Sequence, residues 1–523
     1  MLHLFPYYLA LIIIIVLLIM LANRIKVAYP ILLVLAGLGI SFVPGVPLIQ
    51  IDPELIFVIF LPPLLYEAAW AISWKELWKW RRIIGSFAFI VVFLTSFAVA
   101  WASSMFVPGF TLALGFLLGG IVSPPDAVSA GAILKFVNIP KRLESMLQGE
   151  SLLNDASSLI IFRFALIAVS TGHFIVQDAA LSFGWMVFGG VAIGLAIAYL
   201  FFKLHTLLPT DANTDLVLTL VAPYVMYIAA ESVHSSGVLS VVSGGLLLSQ
   251  RRHLFLSSTS RLRAVNVWES LSFILNGLVF MLIGLDLPEI TAGLDGVSTI
   301  TAVGYGLLIT AVLIISRLLS AFGAIVVTMI ARNFITVADS TYPGIKGPFV
   351  LGWAGMRGVV SLAAALSIPV HLSDGVAFPQ RNLILFITFI VILSTLLLQG
   401  LTLPYLIRVF RLPDSDHHLP EEEDYHLMYK KLVAESLTHL KTEYAAQVNE
   451  HPALQQLVRK WEDSNQLLDD ELQTSDHKAI YLQLLDQQRQ WLRQWNKDPV
   501  TNEEVVRKHL LRLDLEEERV HYL

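Results

Sequence analysis

The 523-residue chain contains no cysteine. Disulfides, thiolate nucleophiles and cysteine-based zinc or iron–sulfur sites are therefore excluded, and the redox compartment stays open. Charge is sparse too, since 15% of residues are Asp, Glu, Lys or Arg and 56% are hydrophobic. No phosphate-binding glycine loop, dinucleotide fingerprint or metalloprotease motif occurs, so an ATP-driven pump or an intramembrane enzyme has no support and no cofactor is expected. No repeat of roughly 20 to 50 residues is visible, which argues against a solenoid or propeller. The opening run "MLHLFPYYLALIIIIVLLIML" lacks a basic region ahead of it and a small-residue cleavage site behind it, so it reads as a spanning helix and not a removed signal.

What the chain does have is apolar runs, recurring from residue 7 to residue 410. They predict an all-α polytopic membrane protein. With about 20 apolar residues per span, thirteen spans are expected near 6–22, 29–43, 54–72, 83–107, 111–136, 144–170, 180–208, 213–232, 236–250, 265–287, 299–332, 346–370 and 381–411. Up to residue 411 there are 22 Lys and Arg against 18 Asp and Glu, a net of +4; beyond it the counts are 13 and 23, a net of −10. A weakly basic membrane region thus precedes an acidic helical tail, and nucleic acid is not an expected partner of either. Basic residues fall on alternate loops, from Arg24 and Lys26 through Lys75, Lys79, Arg81 and Arg82 to Arg408 and Arg411, whereas the opposite set holds only Arg381. Basic loops gather on the cytoplasmic side, so the N-terminus is expected outside and the tail, residues 412–523, in the cytoplasm.

If the seventh span is a linker, spans 1–6 and 8–13 form two halves of inverted topology, a 6+1+6 arrangement. The fifth span of each half is interrupted: "GGIVSPPDAVSAGAIL" in one and "VLGWAGMRGVVSLAAAL" in the other. Paired broken helices in matching positions point to a transporter's midplane site. The tail opens with "PDSDHHLPEEED" and continues in stretches whose apolar residues recur at three and four, as amphipathic helices do. Those helices are expected to pack on each other, on a second protomer or under the membrane region. His417 and His418 form a weak metal-ligand pattern, and plain surface residues are the favoured reading of it.

The stretch "GESLLNDASSLIIFRFALIAV" carries the chemistry. On a helix Glu150 and Asn154 share a face and Asp155 lies about 100° further round. An ionised carboxylate at that depth costs several kcal/mol (about 3 or more on insertion scales), so it is paired, hydrated, protonated or holding a cation. One carboxylate that must take either a proton or a monovalent cation is a sufficient basis for exchange. In span 5, Pro124 and Pro125 should leave the backbone around 123–126 non-helical, with carbonyls free to face a hard cation and Asp126 able to cap the following half-helix. Arg317 and Arg357 are permanently charged and need acceptors. Glu150 is the natural mate of Arg317, and Arg357 is placed to offset a broken-helix C-terminus; both arginines read as structural. The plain alternative for Asp155 and Asp126 is a neutral carboxyl that glues helices. Arg163 is either a second counter-ion or a snorkelling side chain. Glu67 and Glu269 lie toward span ends and read as solvated or capping groups.

These motifs resemble those of the monovalent cation:proton antiporters of the sodium/proton exchanger group. "GESLLNDASSLIIF" is similar to that group's span 6 signature, with Asn154 and Asp155 on its Asn-Asp pair. "GGIVSPPDAVSAGAILK", "GWAGMRGVVSLAAALSIP", "FLPPLLYEAAW" and "NGLVFMLIGLDL" also resemble family segments. The resemblance implies a homodimer in the plasma membrane, with a dimerisation part at about 1–72 and 180–287 and a mobile core at about 83–170 and 299–411. It implies elevator-type, electroneutral exchange of sodium, or a similar monovalent cation, for a proton. The cation and proton would be held by Asp155, Asn154, Asp126 and Ser123, with Glu150, Arg317 and Arg357 in structural ion pairs. Pro125 and Ala127 depart from the family's usual Ser-Pro-Thr-Asp-Pro, removing a hydroxyl that could help hold the ion and leaving Ser123. Potassium/proton exchange, or a cation or pH sensor signalling through the tail to a regulatory partner, are the alternatives.

Overall fold

The computed structural model describes residues 5–43, 53–135, 137, 139–172, 176–294, 296–331, 344–372, 375–412, 421–450, 452–467, 475–495, 509–510, 512–513 and 515–517. In hydrocarbon a backbone must satisfy its own polar groups, and a helix does so within one segment. Among the described residues the chain is helical throughout, with only an isolated bridge between His371 and Ala377 in extended pairing.

The first elements are α1 (Phe5–Ile25), α2 (Tyr29–Ser41), α3 (Pro53–Ala71) and α4 (Trp74–Gly85). Helix α4 runs through a π-helical turn, Ser86–Val91, into α5 (Val92–Phe106). Then come the half-helices α6 (Leu112–Val122) and α7 (Ala127–Leu134), the long α8 (Lys141–Thr171) and α9 (Val176–Leu207), and α10 (Ala212–Ser232), α11 (Gly237–Phe255) and α12 (Ser258–Leu285). The short α13 (Leu287–Ala292), α14 (Thr299–Ala331), the half-helices α15 (Lys346–Trp353) and α16 (Val359–Leu366), and α17 (Arg381–Phe410) complete this part. Eight described helical stretches are long and apolar enough to cross a membrane: 6–25, 74–106, 141–171, 181–207, 212–232, 258–292, 299–327 and 381–410. Apolar side chains such as Met20, Phe188 and Ile300 are exposed on these helices.

Residues 74–82 differ from the basic loop expected before the fourth span. They are helical, opened by Ser73, whose hydroxyl accepts from the Glu76 amide at 3.5 Å. The hydropathy count saw only charge there, but Leu77, Trp80 and Ile84 recur on one buried face.

The contacts divide the chain into two units, Met1–Pro413 and Asp414–Leu523. In the first, α6 is clasped between α5 and α8. A β-carbon on Gly120 would sit 2.8 Å from the Phe162 amide nitrogen, so only glycine lets α6 come this close to α8. In the second, α18 (Glu421–Glu443), α19 (Ala445–Glu450), α20 (Pro452–Leu467) and α21 (Ser475–Trp495) follow one another. A small core of Val433, Leu437 and Val458 joins α18 to α20, supported by Lys441 Nζ at 2.6 Å from Glu462 Oε1. His417 and His418, and Arg332 of the basic set, lie outside the described residues. Among the described residues no group of three or more His, Asp or Glu could hold a metal ion.

Candidate functional site

The two half-helix pairs break opposite each other. Helix α6 stops at Val122, where Pro124 and Pro125 follow, and α7 begins at Ala127; α15 stops at Trp353 and α16 begins at Val359. The breaks are stitched together by the Asp126 amide, which donates to the Met356 carbonyl at 2.7 Å. Gly358 admits this approach, because a β-carbon there would overlap the Asp126 carboxylate. The break at 354–358 contains no proline; it is held by the Arg357 amide donating to Thr395 Oγ1 at 3.2 Å.

Each half-helix terminus then finds its partner. The carbonyls at the end of α6 carry the negative end of a helix dipole. Arg357 Nε donates to the Val122 carbonyl at 2.7 Å and Nη2 to the Ser123 carbonyl at 3.2 Å. At the positive start of α7, the Asp126 carboxylate accepts from the Val128 amide at 3.0 Å, the Ser129 amide at 3.3 Å and the Ser129 hydroxyl at 2.6 Å. Ser123 Oγ accepts from Ser96 Oγ at 2.9 Å, which ties the break to α5.

Helix α8 passes beside the breaks. Asn154 Nδ2 donates to the Pro125 carbonyl at 3.3 Å, while its Oδ1 is buried without a partner among the described residues. Asp155, the next residue, is 6% exposed. No hydrogen bond or ion pair from the described residues reaches its carboxylate, while its main-chain carbonyl accepts from Ser158 Oγ at 3.0 Å. Its electrostatic neighbour is the carboxylate of Asp126. Glu150, about one turn earlier, has the opposite surroundings. Arg317 of α14 grips it with two parallel bonds, Nη1 to Oε1 at 2.7 Å and Nη2 to Oε2 at 3.0 Å.

The structure therefore brings Ser123, Asp126, Asn154, Asp155 and Arg357 around the paired breaks, with Glu150 and Arg317 as a neighbouring bidentate pair. Two pairings escaped the sequence reading. Arg163 of α8 hydrogen-bonds Glu231 of α10, whose other oxygen accepts from the Gly237 amide at 3.0 Å. The partners are 68 residues apart, and no motif around Glu231 marks it as the match. The other is a buried knot at the ends of α9, α10 and α12, where His205 Nδ1 lies 2.8 Å from Asp215 Oδ1 and Ser260 Oγ donates to Asp215 Oδ2 at 2.7 Å.

Residues 10–409 match the sodium/hydrogen exchanger transmembrane family. The chain belongs to this family. As a family member it is a multi-pass membrane protein, and similar sequences are those of cation antiporters. A sodium, potassium, lithium and rubidium/H(+) antiporter of Bacillus pumilus is 34% identical over 396 residues, 73% of this chain and 58% of that protein. The chain thus spans a little over half the length of this relative. The low-affinity Na(+)/H(+) antiporter NhaS1 of Synechocystis is 34% identical over 388 residues, 73% of this chain and 69% of that protein. Among solved structures, the sodium proton antiporter MjNhaP1 from Methanocaldococcus jannaschii superposes with a TM-score of 0.62 at 18% identity, covering 76% of this chain and 98% of that one. That likeness extends the family membership to the fold.

Proposed function

We propose that this exchanger-family chain is a secondary antiporter that trades sodium, or a similar monovalent cation, for a proton at Asp155. The observation that carries the reading is the charge left over beside the helix breaks. Glu150 is matched by Arg317, and the Asp126 region by Arg357, but Asp155 is buried with no cationic side chain upon it among the described residues. A carboxylate in that position needs one positive charge, and a proton or a monovalent cation each supplies one. The two compete for the same oxygen atoms, which couples release of one to capture of the other. Asn154 adds no charge, so one cation for one proton leaves the site's charge unchanged and the exchange electroneutral. Its unpartnered Oδ1 suits a hard cation as a neutral oxygen ligand, while Asp126 is occupied in capping α7 and shapes the site from the side.

The architecture that goes with this reading is thirteen spans as 6+1+6 inverted repeats in a plasma-membrane homodimer, N-terminus outside and tail in the cytoplasm. Regions 1–72 and 180–287 form the dimerisation part, and 83–170 and 299–411 the core that moves elevator-fashion. The alternate basic loops and the two broken helices in matching positions support it. Arg163 and Glu231 then join core to dimerisation part on the far side of Asp155 from the basic start of α8, and must separate when the core slides.

A second reading, potassium/proton exchange, is favoured by the breadth of cations in the Bacillus pumilus relative's name and by Pro125 and Ala127 in the break. A sensor signalling through the tail would lose its output on deletion of residues 413–523, whereas an antiporter keeps exchange. The deciding experiment is proton flux in proteoliposomes with an internal pH dye under a sodium gradient, wild type against Asp155→Asn. Sodium-driven flux that the substitution abolishes is the expected result; equal behaviour of the two proteins overturns the reading.

A further inference from the structure

Helix α4 presents an outward face that nothing in the exchange cycle uses. Trp74 and Trp78, one turn apart, are 40% and 56% exposed, and their rings stack with centroids 5.8 Å apart at 21°. Arg81 continues the stripe, its guanidinium 4.6 Å over the Trp78 ring and Nη1 donating to the Trp78 carbonyl at 2.5 Å. Lys75 and Arg82 are exposed beside it. The helix's one acidic residue is turned away: Glu76 Oε2 accepts from the indole of Trp80, which is 1% exposed and lies under Arg142 at 4.4 Å. The outward face is thus aromatic and cationic, without an acid.

Its position says what meets that face. The continuous helix Trp74–Phe106 is 33 residues long, or about 50 Å at 1.5 Å per residue. The hydrocarbon core of a bilayer takes only about 20 residues of that length. The run from Ile83 to Phe106 is free of charge and fills it, so α4 protrudes at the level of the lipid headgroups. Tryptophan favours that boundary for its apolar body and polar N–H, and Lys and Arg there are drawn to anionic lipid.

We propose that α4 docks on anionic phospholipid, with Lys75 and Arg81 holding headgroup phosphate while Trp74 and Trp78 seat at the acyl boundary. The docking bears on the site helix directly. Leu77 and Ile84, on the buried side of α4, pack on Gly149, where a β-carbon would lie 2.6 Å from Ile84 Cδ1. Gly149 precedes Glu150, so lipid held on α4 steadies α8 beside the Glu150–Arg317 pair. The inference rests on membrane embedding alone and stands whichever cation is carried.

The test is lipid retention by the purified full chain in native mass spectrometry, with phosphatidylglycerol against phosphatidylcholine as probes. Wild type is expected to retain phosphatidylglycerol selectively, and Lys75→Gln with Arg81→Gln to weaken retention about fivefold per charge removed. Lys75→Arg with Arg81→Lys should retain it, and Arg263→Gln, a cation on α12, should change nothing. Added salt should weaken retention by wild type in the same order, a readout independent of whether the variant folds. Equal retention of the two lipids, or a charge-removed variant that holds phosphatidylglycerol as tightly as wild type, overturns the proposal. An acidic soluble protein as the true occupant would show as that first outcome.

Discussion

Helix α8 carries two buried carboxylates in contrasting neighbourhoods. Around Glu150 every charge is answered: Arg317 matches both oxygens in a fork, and the pair is 1% exposed on each side. Around Asp155 the described residues answer their neighbours except for the Asp155 carboxylate itself and Asn154 Oδ1. Arg357 covers the end of α6, Asp126 covers the start of α7, and Asn154 steadies the Pro125 carbonyl. Burial alone therefore does not mark a transport group. On the proposed reading, the mark is a buried charge whose neighbours are satisfied by others, so that its own balance comes from outside.

Substitutions at each neighbourhood can break this contrast. The largest effect on exchange is expected from Asp155→Asn, which removes the unmatched carboxylate of α8 and should reduce sodium-driven proton flux to that of empty vesicles while leaving thermal stability near wild type. The largest effect on stability is expected from Arg317→Ala, which strands Glu150. Breaking a buried pair this way costs about 3–5 kcal/mol, seen as a lower melting temperature in detergent, and Glu150→Leu combined with Arg317→Met should recover most of it. Arg357→Gln should cost about 1–3 kcal/mol through the uncovered α6 carbonyls and also lower cation affinity. Asp126→Ala removes a helix cap worth about 1 kcal/mol and should slow exchange without abolishing it, whereas Asp126→Asn retains the cap and most of the activity. If Asp126→Asn silenced exchange as fully as Asp155→Asn, the distinction between capping and carrying carboxylate would fail. The smallest stability change, under about 1 kcal/mol, is expected from Arg163→Gln, since its side chain and that of Glu231 are 34% and 28% exposed. Its effect should appear in the exchange rate.

Much of the fold was open to a reader of the sequence, because lipid allows few solutions and long apolar runs can only be helices. Pro124 and Pro125 announced the first break in the same way. The second was harder: "AGMRGVV" contains no proline, and its interruption rests on Thr395 and on carbonyls of α6 from distant parts of the chain. The helical start at residue 74 was hidden because α4 is amphipathic, and an average over it looks like a loop. For the site, the chain's own letters name the carboxylates and already suggest Arg317 for Glu150 and a capping place for Asp126, but not that Asp155 is left without a partner among the described residues. Whether Asp126 faces solvent, an ion or the start of α7 depends on the local turn at Val128 and Ser129. Glu231 and Asp215 sit in no motif of the sequence, and only the fold sets Arg163 and His205 against them.

The measurement that bears most directly on the central claim is the number of protons released when sodium binds to the purified protein, followed with a pH dye in weakly buffered detergent solution. The account predicts a single proton released per sodium ion bound by wild type and none by Asp155→Asn. Sodium binding without proton release, or release that persists in Asp155→Asn, would contradict it.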